Sequence, residues 1–182
     1  GAVVSPAWRP SLPTTAAVRS VTSVGLAGTD GGTVDRWIAC AGLANFRDLG
    51  GYRTDSGGRI RWRHVLRSES LHNLTGEGRV AFEALGVRAI YDLRRHEERA
   101  REPGPFPCVH HELPSRRVGD TDPATLQSRR DGERWLLEDY QGMVQHGACA
   151  FGRLLAQLAD LDGPAVFHCT GGKDRTGITA AL

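Results

Sequence analysis

The chain has 182 residues and a mass of 19.7 kDa, enough for one domain with its own core, and its 40% hydrophobic and 24% charged content excludes a disordered chain. Basic and acidic residues nearly cancel, 23 against 21, so net charge offers no argument for nucleic acid as a partner. The sequence contains no apolar run of about 18 residues and so no transmembrane helix, and no integral membrane contact is expected. In chain order, residues 1–32 are rich in Ser, Thr, Ala, Gly and Pro and read as an N-terminal arm, in which Val18, Val21 and Val24 offer at most a short edge strand. From residue 33 the pattern becomes globular. Val34 to Ala39 reads as a strand, Asn45 to Tyr52 as a loop with Gly50-Gly51, and Arg59 to Arg67 as a second strand. Thr75 is a helix N-cap, with Val80, Ala81, Ala84 and Leu85 on one face and Gly86 as the stop. Val87 to Leu93 is a buried strand, residues 94–107 a turn of helix and a loop, and Cys108 to Leu113 a further strand.

Residues 114–132 are polar, carry Arg116, Arg117, Arg129 and Arg130, and read as a long loop or short exposed helix. Glu133 to His146 has helical spacing, and Ala148 to Leu161 reads as a second helix joined to it at Gly147. Ala165 to His168 is a short buried strand, and Thr176 to Leu182 begins a last helix. Strands alternating with helices predict an α/β fold, a small and mostly parallel central sheet flanked by helices. Residues 33–182 form the expected domain, which looks incomplete at its C-terminus because the apolar end has only begun a helix seven residues after Arg175. Such an end is expected to favour oligomers or chain exchange.

The chemistry is concentrated in His168-Cys169-Thr170-Gly171-Gly172-Lys173-Asp174-Arg175-Thr176-Gly177, between the last strand and the last helix. A loop in that position aims backbone N–H groups at one point, and the helix N-terminus adds positive partial charge. Gly171 and Gly172 let the backbone wrap closely, so the segment predicts a cradle for a tetrahedral oxyanion. Cys169 lies at its floor, where nearby cations and a helix N-terminus favour the thiolate. Arg175 offers a planar fork for two phosphate oxygens. The alternative is a buried structural cysteine beside a tight turn. Lys173 is the only lysine in the chain and adds charge beside Arg175. Asp92 and Arg94, at the end of a strand, either line the cleft as further binding residues or form an ion pair that anchors the next loop. His168 is expected to orient the loop, and Arg47 and Asp48 to form a buried network behind it. The four cysteines contain no CxxC pair, and His110-His111, His64 and His72 lack metal spacing, so no metal is expected. Reduced thiols and the lack of a signal-peptide pattern predict a cytoplasmic location, with export toward a host left open.

The segment HCTGGKDRTG resembles the signature loop of cysteine-dependent phosphatases. Asn45 to Gly51 (NFRDLGG) resembles an element of the bacterial tyrosine and phosphoinositide phosphatases, with Leu66-Arg67-Ser68 and Tyr91-Asp92-Leu93-Arg94 in the expected order between the two. The resemblance spans roughly residues 40–182. It implies Cys169 as nucleophile, Arg175 as phosphate clamp, Thr176 as the hydroxyl that helps the thiolate leave, a phosphocysteine intermediate and no cofactor. Thr170, Gly171, Gly172 and Lys173 become the substrate cradle. No Trp-Pro-Asp acid loop is present, which makes Asp174 the expected general acid, as in the similar loop of myotubularin lipid phosphatases. The expected substrates are phosphotyrosine proteins, phosphoinositides, or both. The rivals are a non-catalytic phosphate-binding module and a sulfurtransferase.

Overall fold

The computed structural model describes residues 35–113 and 126–182. The expected arm, Val34, and the Arg116-Arg117 part of the expected long loop lie outside the described residues.

Five strands form one sheet in the order β1-β2-β5-β3-β4: β1 Arg47–Asp48, β2 Val65–Ser68, β3 Ala89–Asp92, β4 Val109–His110 and β5 Ala165–His168. Only the edge pair β1–β2 is antiparallel, and β5 runs parallel between β2 and β3. All four residues of β5 are buried, as a central strand covered on both faces requires. Among the described residues four α-helices follow the chain: α1 Gly76–Glu83, α2 His96–Arg101, α3 Arg129–Asp160 and α4 Asp174–Ala181. No helix among the described residues is long and apolar enough to cross a membrane.

One core joins Ile38, Phe46, Leu66, Phe82, Ile90 and Val166; the other joins Leu49, Tyr91, Leu93, Phe151, Leu154 and Phe167. In the first, α1 begins as the sequence predicts, with the Gly78 N–H donating to the Thr75 hydroxyl. Its inward face differs from the expected one. Val80 is exposed, and the helix instead inserts Phe82 between Phe46 and Phe106. Burying that one ring stabilises the fold by roughly 1.5–3 kcal/mol. The helix lies so close to the preceding loop that a Cβ on Gly78 would meet the Ala41 carbonyl, which is why a small residue rather than a large apolar one faces the core there.

Four expected elements are redrawn, the first being the loop expected over Asn45 to Tyr52, which carries β1 and pairs it with β2. The strand expected up to Ala39 reduces to a single bridge between Trp37 and Arg47. The strand expected from Arg59 begins only at Val65, because Arg63 adopts φ 60° and breaks the extended run. The two helices expected around Gly147 are one continuous helix of 32 residues, capped by Ser128 and Asp131 and including Arg129 and Arg130. Its buried positions, Met143, Gly147, Ala150, Phe151 and Leu154, form one unbroken stripe. Gly147 is a notch in that stripe. A Cβ there would lie 2.9 Å from the Phe151 ring and 3.2 Å from Leu113, so the glycine admits Leu113 against the helix.

Candidate active site

The segment between β5 and α4 is held from outside by three donors. The Thr170 carbonyl accepts from the Ser70 N–H at 2.9 Å. The Asn45 amide donates to the carbonyls of Gly171 and Gly172 at 3.1 and 3.0 Å, and Arg67 donates to that of Gly172 at 2.7 Å. In a planar trans peptide the C=O of one residue and the N–H of the next point in opposite directions. Tying three successive carbonyls outward therefore turns the N–H groups of Gly171, Gly172 and Lys173 inward. Gly172 makes the turn with φ 65°, and a Cβ there would lie 2.6 Å from the Glu69 nitrogen, so the close approach requires glycine. Glu69 in turn accepts from the N–H groups of Ala44 and Asn45, fixing the segment that delivers the Asn45 amide. No side chain caps the start of α4, which leaves its first N–H groups for an anion.

Cys169 lies at the floor of this cradle, 3% exposed. His168 precedes it, buried, with Nδ1–H donating to the Cys169 carbonyl at 3.2 Å. Burial pushes the His168 pKa down to about 4 despite the Asp92 carboxylate 3.9 Å away, so the imidazole is neutral and orients the loop, as the sequence predicts. The Thr176 hydroxyl is buried without a hydrogen-bond partner among the described residues.

Arg175 reaches back across the cradle and meets Glu98 of α2 in two parallel hydrogen bonds of 2.7 and 2.8 Å. It also approaches the Leu93 carbonyl at 3.4 Å and the Thr170 hydroxyl at 3.3 Å, and that hydroxyl donates to Glu98 at 2.6 Å. Burial disfavours the charge on Arg175, but the hydrogen bonds to Glu98 and the nearby Cys169 charge raise its pKa above the usual arginine value. Burial likewise opposes ionisation of Glu98, and the hydrogen bonds from Arg175, Thr170 and the Arg95 N–H outweigh it, holding the carboxyl well below the usual range. Asp174 opens α4 at the rim, exposed, and accepts from the Tyr140 hydroxyl of α3. That bond, with burial and the Asp174 charge, pushes the tyrosine up to about 12, so it remains a donor.

The structure thus gathers Cys169 through Thr176 into one site. It places Asp92 and Arg94 differently from a substrate-lining role. Both side chains are 1% exposed and are joined by a 2.8 Å ion pair, with Arg94 also donating to the Glu102 carbonyl. This is the anchoring alternative: the pair fixes the turn that carries α2, and α2 carries Glu98. Arg47 departs from the buried network as well. Asp48 is buried and accepts from the N–H groups of Gly50 and Arg63, whereas Arg47 is exposed over the Trp37 ring. Ligand atoms of Asp92, Cys108 and His110 approach within 4.8 Å of one another. The Asp92 carboxylate, however, already accepts from three nitrogens of Arg94, whose charge opposes a cation there. Glu98 and Tyr140 were not legible as site residues. Asn45 and Arg67 lie within the NFRDLGG and Leu66-Arg67-Ser68 motifs, but their contact with the loop is not readable from the sequence.

Comparison with known proteins agrees with this geometry. The family model described as the tyrosine phosphatase family matches residues 38–182. The chain is 28% identical over 170 residues to the triple specificity protein phosphatase PtpB of Mycobacterium tuberculosis, covering 78% of this chain and 60% of that protein. It is 34% identical over 121 residues to a tyrosine-protein phosphatase of Nostoc commune, covering 64% of this chain and 41% of that protein. It therefore spans about half the length of these curated relatives. The match begins at Ile38 and takes in both the Asn45 segment and the Cys169 loop with the residues that hold it, and on that ground the chain belongs to the tyrosine phosphatase family.

Proposed function

We propose that the protein hydrolyses phosphate monoesters, with phosphotyrosine proteins and phosphoinositides as its substrate classes, through a cysteinyl-phosphate on Cys169. The observation that carries this reading is the set of three outward-tied carbonyls, which leaves consecutive N–H groups and the uncapped start of α4 converging above a buried cysteine. Those donors stabilise the charge that develops on the transferring phosphoryl group.

The Cys169 thiolate attacks phosphorus, the bond to the ester oxygen breaks, and Asp174 gives that oxygen its proton. Water, deprotonated by Asp174, then attacks the phosphocysteine, and the sulfur leaves as thiolate with the otherwise unpartnered Thr176 hydroxyl donating to it. Arg175 commits two N–H groups to Glu98. The weaker 3.3 Å contact to Thr170 is the one a phosphate oxygen replaces, so the Nε edge and one terminal nitrogen form the clamp. Cys169 and Arg175 are the proposed nucleophile and clamp, and Thr170, Gly171, Gly172 and Lys173 the cradle. Asp92 and Arg94 act as positioning residues through α2.

The test is hydrolysis of para-nitrophenyl phosphate by the chain and by Cys169→Ser, followed by a panel of phosphotyrosine, phosphoserine and phosphoinositides. Loss of turnover in the variant is expected, and undiminished steady-state hydrolysis refutes the nucleophile.

A further inference from the structure

The Gly50-Gly51 pair of the NFRDLGG segment takes no part in the cradle. It seats Trp62: a Cβ on Gly50 would lie 2.5 Å from the Trp62 Cα and 2.7 Å from its ring, and one on Gly51 2.7 Å from the same ring. The ring is thereby held against backbone, yet Trp62 is 45% exposed. Arg36 lies between it and Tyr52, with its guanidinium 5.1 and 3.8 Å from the two ring centroids, and donates to the Gly50 carbonyl. Tyr52 is itself 52% exposed. Residues 51–60 fold into a hairpin, tied by the N–H groups of Gly51, Thr54 and Ile60, in which Arg53 and Arg59 oppose each other. Like charges opposed across strands destabilise the pairing. Among the described residues no carboxylate pairs with Arg53, Arg59 or Arg61; Arg59 donates to the Gly51 carbonyl and Arg61 to the His64 ring. Residues 35–64 contain six arginines, three aspartates and no lysine or glutamate, so the excess positive charge of a chain of net charge +2 is gathered here.

We propose that Arg36, Tyr52 and Trp62, with Arg53, Arg59 and Arg61 beside them, form a docking surface for an acidic segment of a partner protein that carries apolar side chains among its carboxylates. Exposed Trp and Tyr rings with arginine are the residue types that anchor protein interfaces, and rings already fixed by packing lose little freedom on binding. Guanidinium groups without a carboxylate of their own supply the charge complement and take carboxylates in paired hydrogen bonds. The place in the fold selects a protein over a bilayer. The hairpin enters β2 at Val65, opposite Ala165, whereas the Cys169 loop follows His168 at the other end of the same strand pair, ~10 Å farther along. A membrane against the hairpin would turn the cradle away from its lipids, while a bound protein segment leaves the cradle open to a phosphorylated substrate. Docking there does not depend on the Cys169 chemistry.

Fluorescence anisotropy of dye-labelled short peptides tests this on the full chain. A peptide of Leu-Glu-Glu repeats is the probe, with Leu-Gln-Gln repeats as its uncharged counterpart. The acidic peptide is expected to bind about tenfold tighter than the uncharged one and to weaken as salt is raised. Trp62→Ala and Tyr52→Ser should each weaken it by about thirtyfold, as truncation of an anchoring ring does. Arg59→Gln should weaken it by about threefold. Arg129→Gln, which removes the same charge from the exposed start of α3, should leave the affinity unchanged. Urea unfolding of each variant separates lost docking from lost fold, and Tyr52→Ser leaves the seat of Trp62 untouched, so it serves if Trp62→Ala unfolds the hairpin. No binding of the acidic peptide, or binding that Tyr52→Ser and Arg59→Gln leave unmoved, overturns the docking surface. Competition by inorganic vanadate places the peptide in the cradle and overturns it too. Phosphatidylserine vesicles that bind with the same dependence on Tyr52 and Arg59, and more tightly than the peptide, overturn the protein assignment.

Discussion

Glu98 holds Arg175 by two parallel hydrogen bonds from 77 residues away, and through Thr170 it closes a triangle over the mouth of the cradle. Both side chains are nearly buried, at 11% and 9% exposure. The pair fixes the plane of the guanidinium, as the proposed clamp requires, and the Asp92–Arg94 pair fixes the turn from which Glu98 projects.

Removing one member of such a pair strands the other charge. Glu98→Ala is expected to destabilise the fold by about 3–5 kcal/mol. Urea unfolding checks this, and an unchanged midpoint contradicts it. Glu98→Gln keeps the shape and loses the charge, so it should retain more stability while raising KM through a less fixed Arg175.

Acid should erode stability in two windows. Burial holds the folded His168 pKa at about 4, below its unfolded value of about 6.5, so as pH falls through this interval the unfolded chain takes up the extra proton and stability drops. Glu98 has a depressed folded pKa, so its contribution is present above the unfolded value of about 4.3 and is lost as pH falls further toward the folded one. Unfolding free energy measured from neutral to acid pH should fall across both windows. In Glu98→Gln the lower window should flatten and the upper one persist.

Cys169→Ser should abolish turnover yet bind vanadate or phosphate better than Arg175→Ala does, because the backbone cradle survives in the first and the clamp is gone in the second. Calorimetric titration of both variants with the same anion decides the order of affinities.

Asp174→Asn should slow tyrosyl phosphate hydrolysis by about 10²–10⁴ and para-nitrophenyl phosphate far less, since that leaving group departs without a proton. Tyr140→Phe releases the carboxylate from its hydrogen bond and should slow tyrosyl phosphate several-fold with little effect on para-nitrophenyl phosphate. Equal loss across both leaving groups would assign Asp174 to holding the loop instead.

Gly172→Ala forces a Cβ against the Glu69 nitrogen and strains a positive φ. Strained backbone of this kind costs of order 1–3 kcal/mol, and the same displacement should abolish anion binding. Retained activity would show that the loop tolerates a second geometry.

What the linear sequence determined is what is local. The strand Ala165–His168, the glycine-bearing turn and the start of a helix are contiguous, so their order alone specifies a tight loop before a helix with Cys169 at its base, the geometry of the proposed anion cradle. The Thr75 cap and the Gly86 stop are equally local, each set by one side chain or one φ. The long helix shows where such reading ends: glycine at 147 signals a break by propensity, but packing of Leu113 into the notch outweighs it. The partners of the site are further still from local signals. Asn45 and Arg67 reach the loop only because β2 lies beside β5, Glu98 reaches Arg175 only because β3 delivers α2 to the same end of the sheet, and Tyr140 meets Asp174 across the α3–α4 contact. The opposition of Arg53 and Arg59 is a matter of strand register. Hydrogen bonds and charge pairs depend on distance in space, and only the tertiary structure decides which residues separated by tens of positions come within 3 Å.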